Sequence, residues 1–572
     1  MPALRAGLIG DDYLWWLILQ GHGPLGRGSL PPLLHVYNFI PGGVELDTLK
    51  EIGMLTWWAD PDLSIALFRP LTVFTFLVDH AIAPRLYFLQ HLHSLLWYGL
   101  AIALVGLIYR RIHGGAGAVA GLAVLLFAVE DAHAMNAAWL ANRHALVSLV
   151  LGAGAFLAHL EWRRAGRVGA LAAALALLTS GLLAGEAALG IVAYVVAWQL
   201  TLERGSPVRR VLPILPYALV VVVWRLVYDH FGYGISGSGL YLDPGRDPVA
   251  FAGALVQRWP LLQLGQWLQV PIDVVLFVPE LHGPIVLMAF VVCAALVWFF
   301  TPLLRSSAEA RFWGLGTAFA LVPLCAAFPM DRLLLFAGIG AFGLLSLQAK
   351  ALGWLEAGPS AKRGTARGGR ARRSVTAMLL LLHLPVASAL LVGRTAALPL
   401  FGKLFAGGAE TAPRSPEVAE QSLFFVGGHE FPVAYISLIR PVEGQVTPRR
   451  VALLASFASD NRVTRQDEDT LVIEPVLGFL AAETDRLERR PDVPFRNGDR
   501  VRMPDFEAEV RQVTEDGRPR IVAFHFRKPL EDPAYRWLSW NLHGAVSFEL
   551  PAVGEQVVVP SPPLESLFPS DE

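Results

Sequence analysis

Residues 88–111 read FLQHLHSLLWYGLAIALVGLIYRR. From Leu95 to Ile108 there is no charged side chain, and Arg110 and Arg111 close the run. A helix rises about 1.5 Å per residue, so roughly twenty such residues cross a hydrocarbon core of about 30 Å. A pair of arginines at one end marks the cytoplasmic side of such a helix. Read this way, the stretch makes the chain a membrane protein, and the rest of the sequence follows the same pattern.

Further apolar runs fall at 116–132, 138–159, 168–184, 187–203, 210–228, 285–303, 312–328, 332–348 and 374–398. With 88–108 they predict about ten transmembrane helices. The stretch 260–280 is apolar but interrupted by Pro260, Pro271 and Pro279, and reads as interfacial or re-entrant, with an extra span as the competing reading. The composition agrees: of 572 residues, 54% are hydrophobic and 17% charged, with a mean hydropathy of +0.47. Soluble globular chains seldom have this balance. A net charge of −1 gives no basis for a nucleic-acid partner. Cys293 and Cys325 lie in apolar runs and imply no disulfide framework. The amino terminus, MPALRAGLIG, lacks the apolar core of a cleavable signal peptide.

Basic residues set the orientation. Arg110 and Arg111, then Arg163, Arg164 and Arg167, then Arg204, Arg209 and Arg210, then Arg305 and Arg311 occupy every second loop, and 350–373 adds Lys350, Lys362, Arg363, Arg367, Arg370, Arg372 and Arg373. These loops are expected in the cytoplasm. Residues 1–87, the loop 229–284 and the chain after 398 are then extracytoplasmic. An external amino-terminal segment of that length needs a preceding helix to carry it across. The expectation is therefore that the first helix is missing because the start codon was assigned too far downstream. The segment 63–83 is a weaker candidate span, since it contains Arg69, Pro70 and Asp79.

The domain plan that results is an external amino-terminal loop with interfacial helices (1–87), a transmembrane core (88–349), a basic cytoplasmic linker (350–373), a last transmembrane helix (374–398) and a linker (399–418). A small external domain (419–560) and a tail (561–572) follow. Alternating patterns such as VRMPDFEAEVRQV and PRIVAFHF, with turn signals at Asn497-Gly498 and Asp516-Gly517, make the external domain mainly β.

The residues able to carry chemistry lie near the expected external ends of the spans. Asp11 and Asp12 stand in GDDYLWW; Arg69 precedes a proline in LFRPL; His91 and His93 open the first span. His133, Asn136, Arg143 and His144 lie in EDAHAMNAAWLANRHALVS, Glu186 in a short turn, and Asp331 and Arg332 in FPMDRLLL. Taken singly, each is an ordinary helix-end charge or cap, and Arg69 a snorkelling anchor. Two histidines two apart do not share a helix face, so His91 and His93 are no metal pair by spacing. Together the charges gather on one face, where guanidinium groups suit a lipid phosphate and a carboxylate suits a general base.

The ordered set GDDY, FRPL, FLQHLHSLLW, HAMNAAWLANRHALVSLVLG, GEAALG and MDRLLL resembles the GT-C superfamily of membrane glycosyltransferases over roughly residues 6–350. It is most similar to the branch holding the protein O-mannosyltransferases and the tetratricopeptide-containing mannosyltransferases. The resemblance implies inverting transfer of a sugar from a polyprenyl-phosphate donor on the external side of the membrane. It makes Asp11 or Asp12 the catalytic base, and places Arg69, His133, Arg143, Glu186, Asp331 and Arg332 at the family's motif positions. The chain departs from the family pattern where the first helix is absent, where Gly185 precedes Glu186, where Met135 follows the His133 position, and where no tetratricopeptide repeats appear.

In the mechanism this implies, Arg332, with Arg143 or Arg225, compensates the leaving phosphate while Asp11 or Asp12 accepts the acceptor's proton in one extracytoplasmic pocket. One carboxylate suffices for inversion. No strong metal site is read; the Asp pair is the one place for a divalent cation, most of whose oxygen shell would be water. Expected partners are the polyprenyl-phosphate-sugar donor, membrane lipid, and a protein, lipid or polysaccharide acceptor. The expected location is a bacterial inner membrane, multi-pass, with the active site and β domain extracytoplasmic. The competing readings are a transporter or flippase for a lipid-linked saccharide, which calls for inverted repeats and mid-membrane acids, and a non-catalytic envelope scaffold.

Overall fold

The computed structural model describes residues 2–22, 31–115, 117–355, 369–563 and 566. Most of the basic linker and of the tail lie outside the described residues. The chain divides into two compact units: one holds the residues up to Gly7, Phe68–Tyr233 and Asp243–Leu398; the other holds Leu8–Leu67, Gly234–Leu242 and the chain from Pro399 onward.

The first unit is helical. Among the described residues, six helices are long and apolar enough to cross a membrane: Tyr87–Ile112, Leu140–Ala165, Pro207–His230, His282–Ser306, Asp331–Ala351 and Arg370–Thr411. A seventh follows if Ala118–Val129 and Asp131–Ala138, bent by 48°, form one broken span. The expected ten is thus corrected, because breakers shorten several apolar runs. Val168–Ala184 ends at Gly185, Glu186–Thr201 is shorter still, and Ala308–Ala320 stops just before Pro323, whose ring cannot donate to a helix. The stretch 260–280 contains the end of a helix, Pro248–Leu268, closed by left-handed Gln269 (φ 54°), then the short turn Val274–Phe277. The segment 63–83 holds a short strand, Ser64–Ala66, and the 13-residue helix Pro70–Ile82.

Backbones approach closely inside this bundle. A Cβ at Gly340 would lie 2.3 Å from Thr317 Oγ1, and one at Gly343 2.5 Å from the Trp313 ring. Glycine therefore lets Ala308–Ala320 and Leu335–Ala351 pack nearly backbone to backbone, as in membrane helix pairs. Over their most apolar windows, Pro207–His230, His282–Ser306 and Arg370–Thr411 bury only 22% of residues. Leu219, Val222, Leu226, Leu287, Val291, Val297 and Trp298 stand exposed on them. Such continuous apolar faces are compatible with a lipid surround.

The second unit is built on strands, and it absorbs much of the expected amino-terminal loop. Strands β1 (Asn38–Ile40), β2 (Ser64–Ala66) and β3 (Gly234–Ser236) form a small sheet in that order, antiparallel throughout. The C-terminal strands are β4 (Ser422–Phe425), β5 (Arg450–Leu453), β6 (Asn461–Arg465), β7 (Thr470–Pro475), β8 (Arg500–Arg502), β9 (Phe506–Val513), β10 (Pro519–Phe526), β11 (Tyr535–Asn541), β12 (Gly544–Ser547) and β13 (Gln556–Val559). They make a six-stranded sheet, β13-β6-β7-β10-β9-β8, and a four-stranded one, β12-β11-β4-β5. Asp516-Gly517 turns β9 into β10, as its composition predicts, with Gly517 at φ 78°.

Residues 31–67 are not a free loop, because Trp57 and Trp58 are buried in the core of the C-terminal sheets. Trp57 packs edge-on to Phe479 and Phe524 and donates its indole N–H to the Leu454 carbonyl at 2.9 Å. Gly53, at φ 76°, lies so close to β5 that a Cβ would fall 2.3 Å from the Val451 carbonyl oxygen. The expected linker 399–418 is also corrected. Its Ala-, Leu- and Phe-rich start continues the helix Ala387–Thr411, and the helix end is bound by Arg440, whose guanidinium donates to the carbonyls of Ala409, Ala412, Pro413 and Val446.

Candidate functional site

At one end of the helical unit the polar residues form a continuous belt. Arg143 opens its helix fully buried. Its Nε donates to Ser94 Oγ at 2.9 Å and its Nη2 to the Gln90 carbonyl at 2.7 Å, while Nη1 pairs with Asp79. The Phe76 ring lies 5.0 Å from the guanidinium. Asp79 also accepts from His93 Nδ1 at 2.7 Å, and Trp97 donates to His93 Nε2 at 2.9 Å, so the imidazole carries its proton on Nδ1. Arg143 is thus engaged within the bundle.

Beside it, Arg69 donates its Nε to Glu186 at 2.8 Å, and the Tyr228 hydroxyl donates to the other Glu186 oxygen at 3.2 Å. Arg225 forks onto Asp243 at 2.8 and 2.9 Å and also meets Asp229 at 2.7 Å. Buried His91 lies 3.0 Å from the Gly7 carbonyl, and buried His133 lies 3.2 Å from the Tyr98 hydroxyl. Both are structural in these contacts. The opposite end of the bundle carries other ion pairs, Arg111 with Glu161, Arg163 with Glu203 and His113 with Glu309.

The belt continues through Asp331 and Arg332. Asp331 pairs with Arg394, which also reaches Asp131 at 3.2 Å. The Asp331 amide donates to Asp273 Oδ1 at 3.0 Å, and Gln269 donates to Asp131 at 2.8 Å. Burial, reinforced by Asp331, pushes the Asp273 carboxyl up to about 6. His383 and Glu130 form an adjoining buried pair at 2.8 Å.

Arg332 differs from these arginines. Its Nη1 donates to Asn142 Oδ1 at 3.2 Å, and its guanidinium lies 5.4 Å from the centre of the Trp139 ring. Its buried Nε meets no acceptor, and no carboxylate among the described residues lies within ion-pair distance of it. It is a cation held by an amide oxygen and a π face, with a donor left over.

Asp11 and Asp12 belong to the second unit, and the structure distinguishes them. Asp12 is fully buried and accepts the Ile9 amide at 3.0 Å through Oδ2. Asp11, half-buried, accepts the Tyr435 hydroxyl at 2.6 Å through Oδ1. Among the described residues no group of three His, Cys, Asp or Glu side chains is placed to hold a metal ion.

Sequence reasoning passed over Asp79, Asp131, Asp273, Arg394 and Tyr435. Arg394 carried a readable signal, a charge inside an apolar run, which calls for a partner. Tyr435 carried none. No protein-family model, no curated protein and no solved structure matches the chain.

Proposed function

We propose that the chain is a membrane glycosyltransferase that moves a sugar from a polyprenyl-phosphate donor to an acceptor hydroxyl on the extracytoplasmic side, with inversion. The observation that carries this reading is Arg332: a guanidinium with a spare donor and no carboxylate partner among the described residues, at the Asp- and Arg-rich end of an apolar bundle. An uncompensated cation there favours an anionic ligand, and an ester phosphate on a lipid tail matches both the charge and the surroundings. Arg143 and Arg225, also expected on the phosphate, are engaged by carboxylates, so their part is to hold the bundle end together.

In this reading Asp11 is the general base, because it is half-buried whereas Asp12 is fully buried. As the acceptor oxygen attacks the anomeric carbon, its proton passes to the Asp11 carboxylate. The bond from anomeric carbon to phosphate oxygen breaks with its electron pair, which stays on the leaving phosphate. The test uses full-length protein in proteoliposomes supplied with polyprenyl-phosphate mannose, glucose, galactose or arabinose. Arg332→Gln is expected to lower kcat/KM for the donor on the order of a hundredfold while leaving the melting temperature unchanged. Parent-level turnover in Arg332→Gln would contradict the assignment. Movement of the sugar lipid across the bilayer without transfer would favour a transporter.

A further inference from the structure

We infer that Tyr435 is a positioning residue for the Asp11 base. This rests on the reading of Asp11 given above.

The argument starts from how Asp11 is presented. It opens the helix Asp11–Leu19 after Gly10, whose φ is 51°. A Cβ at Gly10 would lie 3.1 Å from the Phe405 ring, so only glycine lets the chain turn here without displacing that ring. Phe405 in turn packs edge-on to Tyr435 with ring centres 4.8 Å apart. The Tyr435 hydroxyl therefore reaches Asp11 from a ring wedged behind the turn that begins its helix. At 2.6 Å the contact is in the short range of hydrogen bonds to a carboxylate.

The chemistry of the pair fixes the direction of the proton. Burial, with Asp11 next, raises the Tyr435 phenol well above its ordinary value, so it stays protonated and can only donate to Asp11. One Asp11 oxygen is held by the phenol, which orients the carboxylate and stabilises its charged form. Among the described residues, Asp12 and Tyr241 are further titratable groups that act on Tyr435. Glu443 accepts from Tyr13 at 3.3 Å, and Lys403 follows Gly402, which packs on Ile9. Loss of the phenol hydroxyl would leave these in place and remove one donor from the base.

The experiment compares Tyr435→Phe and Asp11→Asn with the parent in the proteoliposome assay, across pH. Tyr435→Phe keeps its ring against Phe405, and an unchanged melting temperature checks that the fold is intact. The expected result is a kcat lower on the order of tenfold, an unchanged KM for the sugar lipid, and an acid limb of the pH–rate profile moved to higher pH, with Asp11→Asn inactive. If Asp11→Asn is inactive but Tyr435→Phe follows the parent's profile, the positioning role is overturned and the base assignment stands. If Asp11→Asn turns over like the parent, or the parent turns over none of the four donors, the reading beneath it falls and the inference with it.

Discussion

The two units differ in how several of their buried charges are met. In the helical unit three buried or half-buried arginines stand in opposite-sign pairs: Arg143 with Asp79, Arg69 with Glu186, and Arg394 with Asp131 and Asp331. In the second unit one arginine and one cluster of acids stand among groups that do not neutralise them. Arg440, fully buried, meets only backbone carbonyls. Glu430 faces Glu488 with Asp485 nearby, and all three are buried. Glu488 accepts from the Thr56 amide and hydroxyl at 2.9 and 2.6 Å, and Asp485 from Ser456 at 2.9 Å. A carboxyl in that setting lowers its free energy by keeping its proton. Opposite charges in a membrane-like surround hold together whatever the pH near neutrality, whereas like charges in a β core make stability depend on pH. Arg332 fits neither pattern: an amide oxygen and a π face meet its guanidinium.

Breaking a pair in the helical unit should have the largest effect. Arg143→Ala leaves Asp79 half-stranded in the bundle and is expected to lose about 3–5 kcal/mol, read as detergent-resistant folded fraction. Arg143→Met with Asp79→Leu should recover most of that loss. In the second unit, Arg440→Ala strips the donors from four carbonyls and should lose about 2–4 kcal/mol, seen as faster amide exchange in the last turn of Ala387–Thr411.

The acid cluster gives a smaller effect with a defined sign. Burial raises the Glu430 and Glu488 carboxyls, and it pushes Asp485 up to about 7. Their folded-state values exceed the unfolded value of about 4, so the folded state binds more protons. The stability they contribute is present below pH 4 and is lost as pH rises towards 7 and above. Glu430→Gln supplies a neutral donor to Glu488, and is expected to flatten this slope and raise the melting temperature at pH 8 by about 2–4 °C. A melting temperature that climbs between pH 5 and 8 in the parent would contradict the like-charge account. The smallest stability effect belongs to Arg332→Gln, within about 0.5 kcal/mol, since no carboxylate is orphaned by the change.

Local signals in the chain were legible. The long apolar runs became helices, and Asp516-Gly517 sits in the hairpin its composition predicts. Arg69 and Glu186, both read from the sequence as candidates, meet in one ion pair, while Arg143 and Asp331 pair with Asp79 and Arg394 instead. The number of long helices was not legible, since apolar composition continues through Gly185 and Pro323 where the helices stop. The place of residues 31–67 was not legible either. Trp57 bonds to a carbonyl 397 residues further along, and no local pattern encodes such a pairing. What separates Asp11 from Asp12 includes a remote partner, since Tyr435 lies 424 residues from Asp11, whereas Asp12 accepts from the Ile9 amide three residues away.

The most direct test of a sugar-transferring chain with Asp11 as its base is single-turnover transfer from a radiolabelled polyprenyl-phosphate sugar by the parent, Asp11→Asn and Asp12→Asn. Asp11→Asn should slow the transfer step by about a thousandfold with its melting temperature kept, and Asp12→Asn should lose melting temperature first, through the Ile9 amide it no longer holds as a carboxylate. Transfer by Asp11→Asn at the parent's rate would contradict the account.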